Sequence, residues 1–178
     1  MSGYRKLGRT SSQRKALLRN QVTAVIANGK IVTTEAKAKE VAKIVDGLIA
    51  LAVKEKDNYE TVTVAAKVPE RDKDGKRVKE VVDGKKVTKY TTVDKEIKKD
   101  LPSRMVARRK MLKVLNPVTV VPESNKGKKR NTKKLDLPAK LFDEYGPKYA
   151  NRQGGYTRIV KIGTRKGDGA MEVLLELV

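Results

Sequence analysis

Apolar residues near the start of the chain recur with the period of an α-helix. Thr10 and Gln13 have the spacing of a capping box, and Gly29 provides a stop signal. The apolar face of the predicted helix consists of four residues at positions i, i+4, i+7 and i+8: Leu18, Val22, Val25 and Ile26. The pattern therefore predicts a helix from residue 10 to about residue 28.

A short β-branched run follows this helix and precedes a second helical pattern. The run Ile31-Val32-Thr33-Thr34 is typical of a strand, and Thr34 can cap a helix that starts at Glu35. The second apolar face recurs at helical spacing through Ala38, Val41, Val45, Leu48 and Ala52. We interpret this face as core material.

Residues 57–100 have a different pattern, which is typical of β structure. The segments Val78–Val82 and Lys85–Val93 flank Asp83-Gly84, a dipeptide that suits the tight turn of a β-hairpin. We therefore predict that residues 57–100 form an inserted β-hairpin appendage, separate from a core made of residues 10–56 and 101–178.

A third helix is predicted between Pro102 and Asn116-Pro117. Its apolar face consists of Ala107, Met111, Val114 and Leu115. Its other sides carry five cations, which are Arg104, Arg108, Arg109, Lys110 and Lys113. A helix with one apolar and one basic face can pack inward on the protein and meet phosphates outward.

The C-terminal segment combines a short helix with two strands. The helix begins at Pro138 and is predicted to end at Gly146-Pro147. The strands run from Tyr156 to Ile162 and from Met171 onward, where apolar and polar residues alternate. Together with Ile31–Thr34 they predict a small, mostly antiparallel sheet with helices packed on it, which is the α+β class.

The charge of the chain is concentrated in two segments. The formal net charge is +21, of which residues 1–34 carry +7 and residues 101–134 carry +10. Residues 1–9 are predicted to form a basic extended arm, and residues 122–134 a basic flexible loop that includes Lys128, Lys129 and Arg130. Such segregation of charge indicates a site for a polyanion.

The composition argues against catalysis. The chain has no Cys and no His, which removes thiolate chemistry, the usual general base and the commonest zinc ligands. It also lacks a phosphate-binding loop and a dinucleotide fingerprint. We therefore predict no enzyme activity, no cofactor, no metal and no small-molecule substrate. The absence of a long apolar run or a secretory signal predicts a cytoplasmic protein with no membrane partner.

Besides a protein that binds one folded RNA, three classes are compatible with a strongly basic chain. A nucleoid protein or RNA chaperone would bind nucleic acid without preferring one folded RNA. A cationic protein of a membrane surface would need a broader amphipathic helix than this sequence offers. An RNA-modifying enzyme is disfavoured by the missing catalytic residues.

Both ends of the chain carry runs that resemble a known family. Near the start these runs are Tyr4-Arg5-Lys6-Leu7-Gly8-Arg9, Arg14-Lys15-Ala16, Arg19-Asn20, Ile31-Val32-Thr33-Thr34 and Ala36-Lys37-Ala38-Lys39-Glu40. Near the end they are Lys140-Leu141-Phe142, Arg152-Gln153-Gly154-Gly155-Tyr156-Thr157-Arg158-Ile159, Gly167-Asp168 and Glu176-Leu177-Val178. In this order the runs resemble the bacterial large-subunit ribosomal protein numbered seventeen. The resemblance covers residues 4–56 and 139–178, while residues 57–138 are longer than usual.

The resemblance implies a structural protein of the large ribosomal subunit that supports assembly and translation. It implies binding to folded large-subunit ribosomal RNA near the exit of the peptide tunnel, with neighbouring ribosomal proteins as further partners. The RNA contacts that it implies by matching position are Arg5, Lys6, Arg9, Arg14, Lys15, Arg19, Arg152 and Arg158. Many members carry His in the arm, whereas this chain has Tyr4 and no His, so no histidine role is transferred.

Overall fold

The computed structural model describes residues 4–72, 75–82, 85–121 and 132–178. The helical segments are α1 (Ser11–Asn28), α2 (Glu35–Glu55), α3 (Pro102–Val114), α4 (Leu137–Lys140), a π-helical turn (Leu141–Tyr145) and α5 (Gly146–Lys148). The strands are β1 (Lys30–Thr34), β2 (Tyr59–Pro69), β3 (Lys79–Val82), β4 (Lys85–Thr88), β5 (Tyr90–Asp100), β6 (Val118–Val120), β7 (Lys133–Leu135), β8 (Thr157–Thr164) and β9 (Met171–Leu177). This composition confirms the α+β class.

Two compact units make up the chain. The core unit consists of Met1–Asn58 and Pro102–Val178, and the ribbon unit consists of Tyr59–Leu101. The apolar cluster that stabilises the fold lies in the core unit, where side chains of α1, α2 and α3 meet those of the short C-terminal helices and β9. Each fully buried Val, Leu or Ile of this cluster contributes about 1.5–3 kcal/mol relative to an exposed one.

The first helix begins and ends where the sequence predicts. The capping box of Thr10 and Gln13 is present, and the Thr10 backbone N–H donates to the Gln13 side-chain oxygen at 3.4 Å. At the other end Gly29 has a φ of 80°, a left-handed conformation that glycine adopts without steric cost. Its N–H donates to the carbonyl of Val25 at 2.7 Å and so closes the helix.

The core unit contains a three-stranded antiparallel sheet in the order β1-β9-β8. The central strand β9 places Val173 and Leu175 on the buried face, as its alternating pattern predicts. Pairing of Val32 with Leu174 and of Val160 with the same residue fixes the register of the two outer strands. The predicted small sheet that combines the early β-branched run with the two C-terminal strands is therefore confirmed.

The helical segment after β7 runs past the glycine-proline pair that was predicted to end it. Gly146 has helical dihedral angles, and the Tyr149 N–H donates to the Tyr145 carbonyl at 3.0 Å, so one more turn follows Pro147. A Cβ on Gly146 would lie 3.0 Å from the Cβ of Lys56. The glycine thus lets this segment approach the end of α2, and tertiary packing outweighs the local stop signal.

The ribbon unit is larger in structure than the predicted hairpin. Strands β2 and β5 pair over eleven residues, from Tyr59 opposite Asp100 to Pro69 opposite Tyr90. The segment predicted as one strand over 85–93 is divided at Lys89 between β4 and β5. Strands β3 and β4 do pair antiparallel, as predicted, while their Asp83-Gly84 turn lies outside the described residues.

A further strand pair, β6 with β7, was not predicted. Val118 pairs with Leu135, and Lys133 and Lys134 pair with Val120 and Thr119. Lys133 and Lys134 were assigned to the basic flexible loop over 122–134, and that prediction is wrong for these two residues, because backbone pairing with β6 orders them. The predicted contacts Lys128, Lys129 and Arg130 lie outside the described residues.

Candidate nucleic-acid interface

The first turns of α1, the segment before them, α2 and the end of α3 enclose a groove in the core unit. The groove has a volume of 670 Å³. Its apolar wall includes Leu18, Ile44 and Val114, which are buried or half-buried. Its cationic wall is formed by six side chains: Lys6, Arg9, Arg14, Lys15, Arg19 and Lys113. The fold therefore brings together cations from the arm, α1 and α3 that are more than a hundred positions apart in the sequence.

The described part of the arm, residues 4–9, contains a turn and is not extended throughout. Leu7 and Gly8 both have positive φ values, 57° and 63°, and the Arg9 N–H donates to the Lys6 carbonyl at 3.3 Å. Leu7 is half-buried and packs against the apolar cluster. Residues 4–9 are therefore less extended than predicted, because Leu7 packs on the core.

Arg14 fixes the arm on the core. Its Nε donates to the carbonyl of Arg5 at 2.6 Å, and its Nη2 forms a 2.6 Å ion pair with Glu40, which is buried. The guanidinium also lies 4.6 Å from the centre of the Tyr4 ring. Arg14 was predicted as an RNA contact, and the structure gives it a positioning role instead, because its donors are directed into the protein.

Arg19 likewise serves the fold. Its Nε and Nη2 donate to the carbonyls of Val114 and Leu115, at 3.1 and 3.5 Å, and so satisfy the C-terminal end of α3. This contact joins two elements that both line the groove. Arg19 was predicted as an RNA contact, but two of its five N–H donors are directed at the protein backbone.

Two of the five cations predicted on α3 face the protein. Arg104 is only 2% exposed, and its guanidinium lies 4.5 Å from the centre of the Phe142 ring. Arg108 is half-buried and forms a 3.3 Å ion pair with Asp136. The burial of Arg104 argues against the predicted RNA contact: helical rotation places it beside Ala107 and Met111, on the packed side.

A second group of cations is exposed to solvent. Within the described ranges, which omit 1–3, 73–74, 83–84 and 122–131, seven predicted contacts are exposed and form no ion pair: Arg5, Lys6, Arg9, Lys15, Arg109, Lys110 and Lys113. Four of them line the groove or its rim, and the other three lie close to it in sequence. Cations without acidic partners leave their charge available to phosphate groups.

The two arginines predicted near the C-terminus lie apart from the groove lining. Arg158 on β8 is exposed, and both its Nε and Nη2 donate to Glu176 Oε1 on β9, at 2.8 and 2.6 Å. Arg152 is exposed, and its Nε donates to the carbonyl of Gly154 at 3.1 Å. The pairing of Arg158 neutralises its charge on the sheet surface, so it is a weaker phosphate site than its sequence block implies.

Two residues of the site were not nominated from the sequence. Tyr4 lines the groove beside the cations and remains 55% exposed. Lys43 on α2 lines a smaller cleft of 360 Å³ together with Arg5. The sequence signal for Tyr4 was its position at the head of the basic run, whereas Lys43 lies in a helix whose pattern indicated only core packing.

Other kinds of site find no support in the part of the chain that the structure describes. Among those residues, no group of three or more acidic, His or Cys side chains is placed to hold a metal ion. Their helices also include none that is both long enough and apolar enough to cross a membrane. The fold and this surface define a small, strongly basic α+β protein whose functional groups are cations rather than catalytic residues.

Comparison with known proteins gives the family. The sequence model of the family "Ribosomal protein L17" matches residues 17–178. The chain is 75% identical over its full length to the whole of "Large ribosomal subunit protein bL17" of Lachnospira eligens. It is 46% identical over its full length to the protein of the same name from Acetivibrio thermocellus, and 41% identical over 99% of both chains to that of Listeria innocua. The chain therefore belongs to the ribosomal protein L17 family.

Family membership confirms several of the predictions made from the sequence. The resemblance to the bacterial ribosomal protein numbered seventeen is correct, and it extends through the middle of the chain that the quoted runs did not cover. The protein is a structural ribosomal protein and not an enzyme, and its place is the bacterial ribosome in the cytoplasm.

Proposed function

We propose that this chain is a structural constituent of the large ribosomal subunit and that it binds folded large-subunit ribosomal RNA through the cationic groove side of its core unit. The observation that carries the proposal is the set of seven exposed cations without ion-pair partners on the arm, α1 and α3. Relatives of similar sequence are named large ribosomal subunit proteins, which supports RNA as the polyanion.

The different contacts of the half-buried and exposed cations support this proposal. Arg14 and Arg19 use their donors on Glu40 and on the end of α3, and so hold the arm, α1 and α3 in one arrangement. The neighbouring cations Lys6, Arg9 and Lys15 are then held at fixed positions around the groove. Pre-organised cations lose less freedom when they bind than cations on a free chain, which favours a folded RNA of matching shape.

The finer assignments rest on the family resemblance. We propose a position near the exit of the peptide tunnel, contacts with neighbouring large-subunit proteins, and a role in assembly of the subunit. No small-molecule substrate and no membrane partner belong to this function. Arg152, Arg109 and Lys110 are retained as proposed RNA contacts, whereas Arg104 is not, because it is buried.

The salt dependence of binding to large-subunit ribosomal RNA tests the proposal. If the seven exposed cations neutralise phosphates, the logarithm of the affinity should fall with the logarithm of salt concentration with a slope of roughly −5 to −6. Affinity for the large-subunit RNA should exceed that for duplex RNA of equal length. Equal affinity for both would favour an RNA chaperone, and a slope near zero would overturn the electrostatic interface.

A further inference from the structure

The groove is unlike an ordinary basic surface because one of its walls is apolar. Leu18, Ile44 and Val114 contribute to a cavity of 670 Å³, a volume within the range of about 300–1,000 Å³ that is typical of ligand sites. Phosphate groups are satisfied by the exposed cations at the rim and need no apolar cavity. The apolar part of the lining therefore suits a ligand that has an apolar body as well as a negative charge.

An aromatic ring also lines the groove. Three of the six tyrosines, Tyr145, Tyr149 and Tyr156, are buried in the core, where their hydroxyls donate to backbone carbonyls. Tyr59 and Tyr90 belong to the ribbon unit. Tyr4 is thus the tyrosine that stands among the cations of the groove, and the Arg14 guanidinium 4.6 Å from its ring centre holds it in position.

A planar base attached to a phosphate backbone matches this combination of groups. The base is flat and largely apolar on its faces, and it stacks on aromatic and guanidinium planes. Its flanking phosphates would lie at the rim, beside Lys6, Arg9 and Lys15. A base inside a continuous duplex cannot enter such a groove, whereas an unpaired base of a bulge or loop can be turned outward at lower cost.

We infer that the groove is a specific binding site for a single unpaired nucleotide. Its base enters between Tyr4 and the apolar wall, while its neighbouring phosphates contact the rim. This inference rests on the proposed RNA-binding function and adds the class of ligand. It predicts that the protein recognises an irregularity in a folded RNA, and not only the density of its phosphates.

Three RNA hairpins that share one stem provide the probes. The first is fully paired, the second carries one bulged adenosine, and the third carries the same bulge with an abasic ribose in place of the adenosine. The second and third have the same number of phosphates, so any difference between them comes from the base. The full-length protein should bind the adenosine bulge more tightly than the abasic bulge by about 5-fold or more.

Two neighbouring serines give a matched pair of variants. Ser11 and Ser12 are both exposed in the first turn of α1, but only Ser11 lines the groove. The Ser11→Trp variant places a large side chain in the groove without changing the net charge, so it should bind all three hairpins with equal affinity. The Ser12→Trp variant should keep the preference for the adenosine bulge, and both variants should retain the salt dependence of the original protein.

A spectroscopic measurement gives an independent readout. The chain has no Trp, so Tyr4→Trp introduces a single tryptophan in the wall of the groove. Its emission should be quenched by the adenosine bulge and much less by the abasic one. Equal affinity of the unmodified protein for the two bulged RNAs, with a steep salt dependence, would overturn the nucleotide site and leave the RNA-binding function standing. Failure to bind any of the hairpins or the large-subunit RNA would overturn both.

Discussion

The core unit and the ribbon unit differ sharply in how they use charge. The ribbon unit, Tyr59–Leu101, contains twelve cations and nine acids, a net charge of +3, so the rest of the chain carries +18 of the total of +21. Cations of the ribbon also have acidic neighbours, as where Lys89 lies 3.3 Å from Glu80 and 3.5 Å from Glu70. Among the described residues, the cations that line the groove have no such partner except Arg14, which pairs with Glu40.

The two units also differ in what their apolar residues do. In the core unit, apolar side chains of helices and sheet bury one another. In the ribbon, the register of β2 and β5 places a set of apolar residues on one face, where they are half-buried or exposed: Val62, Val64, Ala66, Val68, Val93 and Ile97. A two-stranded ribbon has no second layer of its own to cover such a face. The difference in charge between the units predicts that the proposed phosphate binding is a property of the core unit.

Removal of cations from the rim should have the largest effect. Replacing Lys6, Arg9 and Lys15 together with Gln should reduce affinity for large-subunit ribosomal RNA on the order of 100-fold at low salt, because three charge-assisted phosphate contacts are lost. The salt slope should become less steep by about 2 to 3. Filter binding over a series of salt concentrations measures both quantities.

The ribbon provides the matched control for this variant. Lys86, Lys95 and Lys99 are exposed cations of the ribbon unit, and their joint replacement with Gln removes the same amount of charge. We expect this variant to change affinity by less than about threefold, an effect below 1 kcal/mol. If the two triple variants lost affinity equally, binding would follow net charge, and the contrast between the units would have no functional meaning.

Variants of two arginines of α3 distinguish effects on stability from effects on RNA binding within the core unit. Arg104 is buried against Phe142, so Arg104→Ala should lower the free energy of unfolding by about 2–3 kcal/mol. Arg109 is exposed on the same helix, and Arg109→Ala should change stability by less than about 0.5 kcal/mol. Chemical denaturation measures these differences.

The same two variants should show the opposite order of effects on RNA affinity. Arg109→Ala should weaken affinity and reduce the salt slope by about 0.9, whereas folded Arg104→Ala protein should keep both values. Loss of phosphate binding in Arg104→Ala at temperatures where the protein is fully folded would show that the buried arginine reaches the RNA after all.

The sequence predicts local features well and long-range partners poorly. The helix boundaries at Thr10 and Gly29 follow from caps whose chemistry lies within a few residues, and the alternation of β9 determines its buried face. In contrast, the pairing of Arg14 with Glu40 joins residues 26 positions apart, and nothing in the basic pattern separates Arg14 from Lys15. Which cations are free can be known only once the tertiary fold has assigned partners to the others.

The ribbon shows the same limit for strands. The Asp-Gly signal predicts β3 and β4, because a tight turn is a local property. Strands β2 and β5 pair across the whole of that hairpin. Apolar residues alternate along β2, but β5 offers only Val93 and Ile97 on the same face, so the pattern does not identify β5 as its partner. Their register depends on contacts between residues up to 41 positions apart, such as Tyr59 with Asp100.

Deletion of the ribbon should have a small effect on the core unit. The side chain of Asn58 donates a hydrogen bond to the Ser103 hydroxyl, which in turn donates to Glu55 at 2.8 Å. The two ends of the ribbon unit therefore begin from neighbouring positions in the core unit, and a short Gly/Ser linker can replace residues 59–101. We expect cooperative unfolding to persist and RNA affinity to fall by less than about tenfold, or 1.4 kcal/mol.

Calorimetry and filter binding of this shortened protein give the measurement. A second version, in which residues 70–89 alone are replaced, removes β3 and β4 but keeps the long ribbon. If only the full deletion reduced RNA affinity strongly, strands β2 and β5 would belong to the main RNA site. Loss of cooperative unfolding in the full deletion would instead show that the ribbon stabilises the core unit.

The smallest expected effect concerns an ion pair in a turn of the core unit, where a cation contacts an acidic residue of the protein itself. Arg165 forms hydrogen bonds to Asp168 at 2.8 and 2.5 Å, in the turn between β8 and β9. These bonds, together with the Ala170 backbone N–H, lower the pKa of Asp168 from 3.8 to about 2. Because the folded state favours the ionised carboxylate, the resulting stabilisation is fully present above pH 3.8 and is lost as the pH falls through about 2.

The Asp168→Asn variant should therefore unfold a few degrees at most below the original protein at pH 7, since the pair is exposed to solvent. The difference should shrink between pH 4 and pH 2, because protonation then removes the same interaction from the original protein. Asp57→Asn, which makes the same change of charge outside this turn, controls for the added net positive charge. A difference that stayed constant down to pH 2 would mean that the carboxylate acts through its shape in the turn, and not through its charge beside Arg165.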